Sequence, residues 1–365
     1  MKECFVNKTS VLGVIDTNLD HATLASPTQR PVVNEYAELK KLIKQRGLLK
    51  KQPVYYTFKI LYTVMLLAAG IAALFFIHNF WLQLGDAVFL AFVFGQIGFL
   101  GHDAGHRQIF HSTLKNDIIV MLQGNLLVGM SYTWWLDKHN QHHSHPNQFD
   151  MDPDIAIPAI CFSQEDALSK RHFPRFLAKH QAYAFFPLLL LVGLDLQRSS
   201  ILYLLRNKVK NRFFELSLLA LHYILYFGLI FSQMNIWQGL VFILVHQTLS
   251  GLYLGSTFAP NHKGMLLLDK SSKMDFLRRQ VLTARNVTSH PFNDFWYGGL
   301  NYQIEHHLFP SMPRKNLKEA QKIIRVFCNE RSISYYETSM TQSYKEILLF
   351  LHHIGAPLRR PSITS

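Results

Sequence analysis

Residues 81–106 read WLQLGDAVFLAFVFGQIGFLGHDAGH. From 81 to 101 the only charged residue is Asp86, and a helix of about 20 apolar residues is long enough to cross a bilayer. The run ends on His102 and His106. A spacing of i, i+4 puts both imidazoles on one face of a helix, about 6 Å apart. The stretch therefore predicts a membrane span that carries two metal-type ligands to the edge of the bilayer.

Three more apolar runs are long enough to span, near 59–77, 213–231 and 237–259. They pair up across very short turns at 78–80 and 231–235, so the expected fold is an all-α integral membrane protein. It has four transmembrane helices in two hairpins, with interfacial helices and a cytoplasmic helical cap. Composition agrees: 49% of the 365 residues are hydrophobic and 17% charged, against roughly 25% charged in soluble proteins. The stretches 118–130 and 185–196 are apolar but shorter; the second contains Pro187 and Asp195 and reads as interfacial or re-entrant. Residues 34–51 suit a basic amphipathic helix, with Tyr36, Leu39 and Ile43 on one face and Lys40, Lys41, Lys44 and Arg46 beside or opposite it. Such a helix either lies on an anionic membrane surface or precedes a span as an ordinary solvated helix.

Charge sets the orientation. There are 37 Lys and Arg against 24 Asp and Glu, a net +13, and neither short turn carries a Lys or Arg. The positive-inside rule then puts the N-terminal, central (102–212) and C-terminal segments in the cytoplasm. The expected divisions are a cytoplasmic N-terminal segment (1–58), a main domain (59–325) and a cytoplasmic tail (326–365). The first 20 residues show no apolar core and no small-residue cleavage site, so no secretory signal is expected. The long apolar runs point the basic excess toward a membrane surface or an anionic substrate, not nucleic acid. Cys4, Cys161 and Cys328 are the only cysteines, too few for a four-cysteine iron–sulfur cluster and without a CxxC zinc pair.

The histidines carry the chemistry. HNQHH (His139, His142, His143) and QIEHH (Gln303, His306, His307) repeat the helical register of GHDAGH. One such pair arises easily by chance; three sets on one side of a membrane do not. Imidazole suits zinc, copper, iron and nickel. Seven clustered histidines are too many for one tetrahedral ion, so two metals are expected, and redox-active iron fits a site with open positions for dioxygen. Asp103, Asn261, Asn286, Asp294 and Glu305 are candidates to orient the rings from outside. The run Asp150, Asp152, Asp154 lacks the glycine and terminal glutamate of an EF-hand and reads as a turn that hydrogen-bonds the second set. His111, His145 and the pair His352–His353 are off register, and His290 reads as a pocket residue. Trp134, Trp135 and Trp296 suit either the border of an acyl tunnel or ordinary interfacial packing.

HxxxH, HxxHH and QxxHH in this order around four spans resemble the membrane fatty acid desaturases. The likeness runs from about 85 to 325 and includes HDAGHRQIF, HNQHHSHPNQFDMDPDI and GGLNYQIEHHLFPSMP. The glutamine that opens the third box is similar to that of front-end desaturases and related bacterial acyl-CoA or acyl-lipid desaturases. The resemblance implies that His102, His106, His139, His142, His143, His306 and His307 are iron ligands. It implies a further ligand just after the fourth span, where APNHKG places His262. Gln303 then binds weakly, binds through water, or orders the site.

The implied reaction puts a cis double bond into a fatty acyl chain of an acyl-CoA or acyl-lipid, using two iron ions, dioxygen and two external electrons. Neither an HPGG haem motif nor a Rossmann fingerprint is present, so a separate ferredoxin, cytochrome b5 or flavoprotein reductase is expected as donor. The expected location is a membrane, bacterial inner membrane or endoplasmic reticulum, with lipid around the spans and the site on the cytoplasmic face. An acyl-chain hydroxylase on the same scaffold is the alternative enzyme. A metal-binding transporter is a third reading, which would need ligands at mid-span. His222 and His246 are the only mid-span histidines, and they are expected to face inward with hydrogen-bond partners. An apolar channel is expected to run from the histidines beneath or between the spans.

Overall fold

The computed structural model describes residues 34–359, and helices dominate it. The parts of the expected terminal segments before 34 and after 359, with Cys4, lie outside the described residues. The order begins α1 (Glu35–Gln45), α2 (Pro53–Phe76), α3 (Phe80–Gly105) and α4 (Thr113–Met121), then a π-helical segment (Leu122–Val128) and α5 (Tyr132–Ser144). α6 (Gln164–Ser169), α7 (His172–Lys179), α8 (Gln181–Leu189) and α9 (Val192–Arg206) lead to α10 (Arg212–Gln233) and α11 (Ile236–His262). α12 (Phe276–Leu282), α13 (Pro291–Trp296), α14 (Gln303–Leu308), α15 (Arg314–Glu330) and α16 (Met340–Ile354) complete it. A two-residue parallel pairing joins Asn286–Val287 to Glu337–Thr338.

Helices α2, α3, α10 and α11 are long and apolar enough to cross a membrane. Asn79 caps α3 by accepting from the main-chain N–H groups of Trp81 and Leu82. Asn235 and Gln238 form a capping box on α11. These caps satisfy the first donors of each helix and let it start after a link of only two or three residues. α2 starts at Pro53 and not near 59, since proline suits the first helical turn. α11 runs through Pro260 to His262 and does not stop near 259. The Ser256 carbonyl, which Pro260 cannot bond, accepts from the Tyr344 hydroxyl at 2.7 Å instead.

Burial separates an inner pair from an outer one. The apolar window of α3 is 67% buried and that of α11 44%, against 17% for α2 and 22% for α10. α3 and α11 pack along each other. Gly95 allows this approach: a Cβ there would lie 2.3 Å from the Tyr253 ring. The outer helices expose Phe58, Met65, Phe75, Ile224 and Leu225, side chains that suit contact with hydrocarbon.

The smaller elements differ from expectation in informative ways. On α1, Leu39 and Ile43 are completely buried in a cluster with Leu277 and Val281 of α12 and Leu317 and Ile324 of α15. Protein therefore covers the apolar face that was one candidate for the membrane surface. The stretch 118–130 becomes the end of α4 and the π-helical segment, closed by Gly129 at φ +76°. The stretch 185–196 splits into α8 and α9, bent by 72°, both packed on α11.

His222 and His246 are buried within the spans. His222 Nδ1 donates to the Leu126 carbonyl at 2.9 Å, and His246 Nδ1 lies 2.8 Å from the Tyr226 hydroxyl. Both rings, with Tyr226, line a cavity of about 190 Å³ between α2, α3, the π-helical segment, α10 and α11 whose other walls are apolar. None of the eight candidate ligands lines that cavity.

Candidate metal centre

Four elements bring the histidines together. His102 lies in the last turn of α3, and His106 caps its end. α5 begins at Ser131, whose hydroxyl accepts from Trp134 N at 3.2 Å, and it presents His139, His142 and His143. His262 is the last residue of α11, and α14 carries Gln303, His306 and His307. His102, His106, His139 and His306 form one group that could hold a metal ion, and His142, His262 and His307 form another.

His143 joins the two groups. Its Nε2 is 3.1 Å from His139 Nε2 and 3.1 Å from His306 Nε2, while its ring stacks on His307 at a centroid distance of 4.2 Å. Trp135 stacks on His139 at 4.5 Å and meets the edges of His102 and His106. Gly105 makes room for that indole, since a Cβ there would be 2.4 Å from it.

The outer nitrogens show what the inner ones are for. In the second group His262 Nδ1 donates to the Thr283 carbonyl at 2.9 Å, and His307 Nδ1 donates to Gln280 Oε1 at 2.9 Å. His142 Nδ1 lies 3.0 Å from both oxygens of Asp152. Each partner accepts, so in the neutral ring each Nδ1 carries the proton and each Nε2 is the accepting, metal-facing nitrogen. Yet His142 and His262 Nε2 are 3.3 Å apart, and His262 and His307 Nε2 are 3.0 Å apart. Facing lone pairs at that distance repel unless a cation sits between them. Ligands on a metal at about 2.1 Å stand about 3.0 Å apart when cis and about 3.4 Å when tetrahedral. The donor set and its spacing fit a bound metal. The first group has the same closeness, with His106 and His139 Nε2 separated by 2.8 Å.

Protonation agrees. Burial first, and then the neighbouring imidazoles, hold His139, His143, His306 and His307 well below the ordinary histidine value. That direction favours the neutral, metal-binding form. His142 differs: burial pushes it down, but Asp152 and Asp154 outweigh burial and raise it. His142, Asp152 and Asp154 also have metal spacing, but these carboxylates are already used. Asp152 accepts from Asn147 N at 2.7 Å and Asp154 N at 2.8 Å, and Asp154 pairs with Lys138. The cluster is the expected turn, holding His142.

The expected orienting residues divide. Asp103 Oδ1 is 3.7 Å from His102 Nδ1. Asn261 Nδ2 donates to Gln303 Oε1 at 3.0 Å, and Gln303 Nε2 lies 2.9 Å from His262 Nε2. Gln303 thus faces the second group. Asn286, Glu305 and Asp294 bond elsewhere. Asn286 donates to Glu305 at 2.6 Å and Tyr335 donates to Glu305 at 2.7 Å; burial pushes this carboxyl up to about 7. Asp294 accepts from Asn301 at 2.8 Å and Tyr302 at 2.9 Å, bracing the loop before the third box. His290 caps α13, and His353 is 3.3 Å from Gln164. Gln280 and Thr283 contact the ligands directly, yet RRQVLT contains no motif that announces them.

Four helices long and apolar enough to cross a membrane, and two polyhistidine groups that could hold metal at the ends of two of them, mark the class of protein. Comparison with known proteins narrows the class. The family model described as fatty acid desaturase matches residues 79–339, and the chain belongs to that family. It is 31% identical over 334 residues to an acyl-lipid (9-3)-desaturase of Physcomitrium patens, covering 89% of this chain and 63% of the moss protein. It is 30% identical to a Delta(6)-fatty-acid desaturase of Caenorhabditis elegans, over 94% of this chain and 81% of the nematode protein. It is also 30% identical to a Delta 8-(E)-sphingolipid desaturase of Emericella nidulans, over 95% and 66%. The chain thus spans about two thirds of the length of the moss and fungal relatives.

Proposed function

We propose that this chain is a fatty acyl desaturase that introduces a cis double bond using dioxygen and two external electrons at a di-iron centre. One observation carries the reading: imidazole nitrogens converge into two adjoining groups at the ends of two apolar helices. An unactivated methylene has no acidity for a base to exploit. When bound, the two iron ions supply dioxygen activation and one-electron hydrogen abstraction. Two hydrogen atoms, which carry two electrons, leave the acyl chain; with two external electrons and two protons, dioxygen becomes two waters.

The chain's residues hold and orient the centre. His102, His106, His139 and His306 take one metal, His142, His262 and His307 the other, and His143 lies between them. Asp152 and the Thr283 carbonyl fix the tautomers of His142 and His262. Gln303, tied to Asn261, orders the third box against His262. Family membership implies a fatty acyl substrate and an electron donor. The moss and fungal relatives are named for acyl-lipid and sphingolipid substrates, which supports a lipid-linked chain over acyl-CoA. The charge pattern supports a cytoplasmic site, with a ferredoxin, cytochrome b5 or flavoprotein reductase supplying electrons.

Lipid profiling of a host expressing the chain tests the activity. New alkenes are expected; an added oxygen instead points to a hydroxylase. An unchanged acyl profile from membranes whose protein carries two iron per chain refutes both. Metal analysis tests the centre: stoichiometric zinc without iron in an active sample overturns the choice of metal.

A further inference from the structure

Gln280 lies outside all three histidine boxes and is completely buried. Its side-chain Nε2 donates to the main-chain carbonyl of His143 at 2.9 Å, and its Oε1 accepts from His307 Nδ1 at 2.9 Å. The first contact decides the second. A main-chain carbonyl only accepts, so the NH2 end of the amide must face His143 and the oxygen must face His307. His307 Nδ1 must then carry the proton, which leaves Nε2 free for metal. Three residues on, the Thr283 carbonyl does the same for His262 at 2.9 Å. One short segment thus sets the tautomers of two of the three ligands in the second group. It also ties the second box to the third.

We propose that Gln280 is a positioning residue for the second metal position, holding His307 as an Nε2 ligand and docking the third box on the second. This rests on the metal-centre reading above.

Two substitutions separate the contributions. Gln280→Glu keeps the acceptor toward His307 and loses the donor toward His143; Gln280→Met loses both. The measurement is iron per chain in purified full-length protein after timed exposure to a chelator, with Mössbauer spectra of the retained iron. Loss of such a partner typically weakens metal binding by about 10–100-fold. Gln280→Met is expected to keep the first iron and release the second under conditions where the wild type keeps both. Gln280→Glu is expected to keep both, with a changed spectrum at one iron only. If Gln280→Met retains both iron ions like the wild type, the proposal is overturned. It is also overturned if Gln280→Glu loses the second iron as readily as Gln280→Met. Should Gln280→Met fail to insert, the Gln280→Glu result decides alone. A wild type that binds no metal refutes the centre itself, a result distinguishable from all of these.

Discussion

Arg314 and Asp103 offer a test of how the third box is locked to the first. Arg314 follows the third box, and its guanidinium reaches back to α3. Nη2 lies 2.7 Å from Asp103 Oδ2 and 2.8 Å from the Phe99 carbonyl. Both side chains are buried, and Asp103 in turn sits 3.7 Å from His102 Nδ1. Burial works against the guanidinium charge, yet Asp103 outweighs it and Arg314 titrates above its ordinary value. Removing one partner leaves the other charge buried and uncompensated, which costs about 3–5 kcal/mol. Arg314→Met and Asp103→Asn should each cost that much. The double mutant should cost less than the sum, with a coupling of about 1–3 kcal/mol. Unfolding in mixed detergent micelles, monitored by circular dichroism for the four proteins of the cycle, measures it. Additivity within about 0.5 kcal/mol would show that the pair does not hold the boxes together, and the reasoning from its geometry would fail.

Alanine at any of His102, His106, His139, His142, His143, His262, His306 or His307 should abolish product and lower bound iron while the chain still inserts. Normal activity in two of these variants would break the shared site. Leu39→Ala should destabilise by about 2–5 kcal/mol, as expected for a filled core position. A near-zero loss in a denaturation series would instead return α1 to the lipid surface. Tyr226→Phe leaves His246 Nδ1 without its partner and should cost about 1–3 kcal/mol with iron content unchanged. His246 is 16 residues before His262 on α11, about 24 Å along the axis, so loss of iron in this variant would contradict that placement.

The three boxes were legible because their spacing is a local, helical property: i, i+3 and i+4 decide which rings share a face before any tertiary contact forms. The spans were legible for the same reason, as uninterrupted apolar length. His262 stands alone in its segment and became a candidate only through resemblance. What covers an apolar face is not local information. The periodicity of Leu39 and Ile43 predicts a buried side, but lipid and α12 with α15 satisfy it equally. Gln280 and His307 are separated by 27 positions, and nothing about an isolated glutamine tells which way its amide must turn. That is settled by the His143 carbonyl, a group every residue possesses.

The lengths of the inner helices have a consequence for the membrane itself. α3 has 26 residues and α11 has 27, about 39 and 41 Å at 1.5 Å per residue. The hydrocarbon layer is about 30 Å thick. The outer helices, with 24 and 22 residues, come closer to that thickness. At one end each inner helix is tethered to an outer one by a link of two or three residues, 77–79 and 234–235, so little of the surplus can emerge there. In a membrane, whatever surplus tilt does not absorb would fall at the other end, the one that bears His102 and His262. Rigid helix, not loop, would then set the height of the imidazoles above the hydrocarbon. A thicker bilayer would draw those last turns toward the acyl chains, and a thinner one would lift them clear. Membrane thickness thereby becomes a variable acting on the same two helices that carry the histidines.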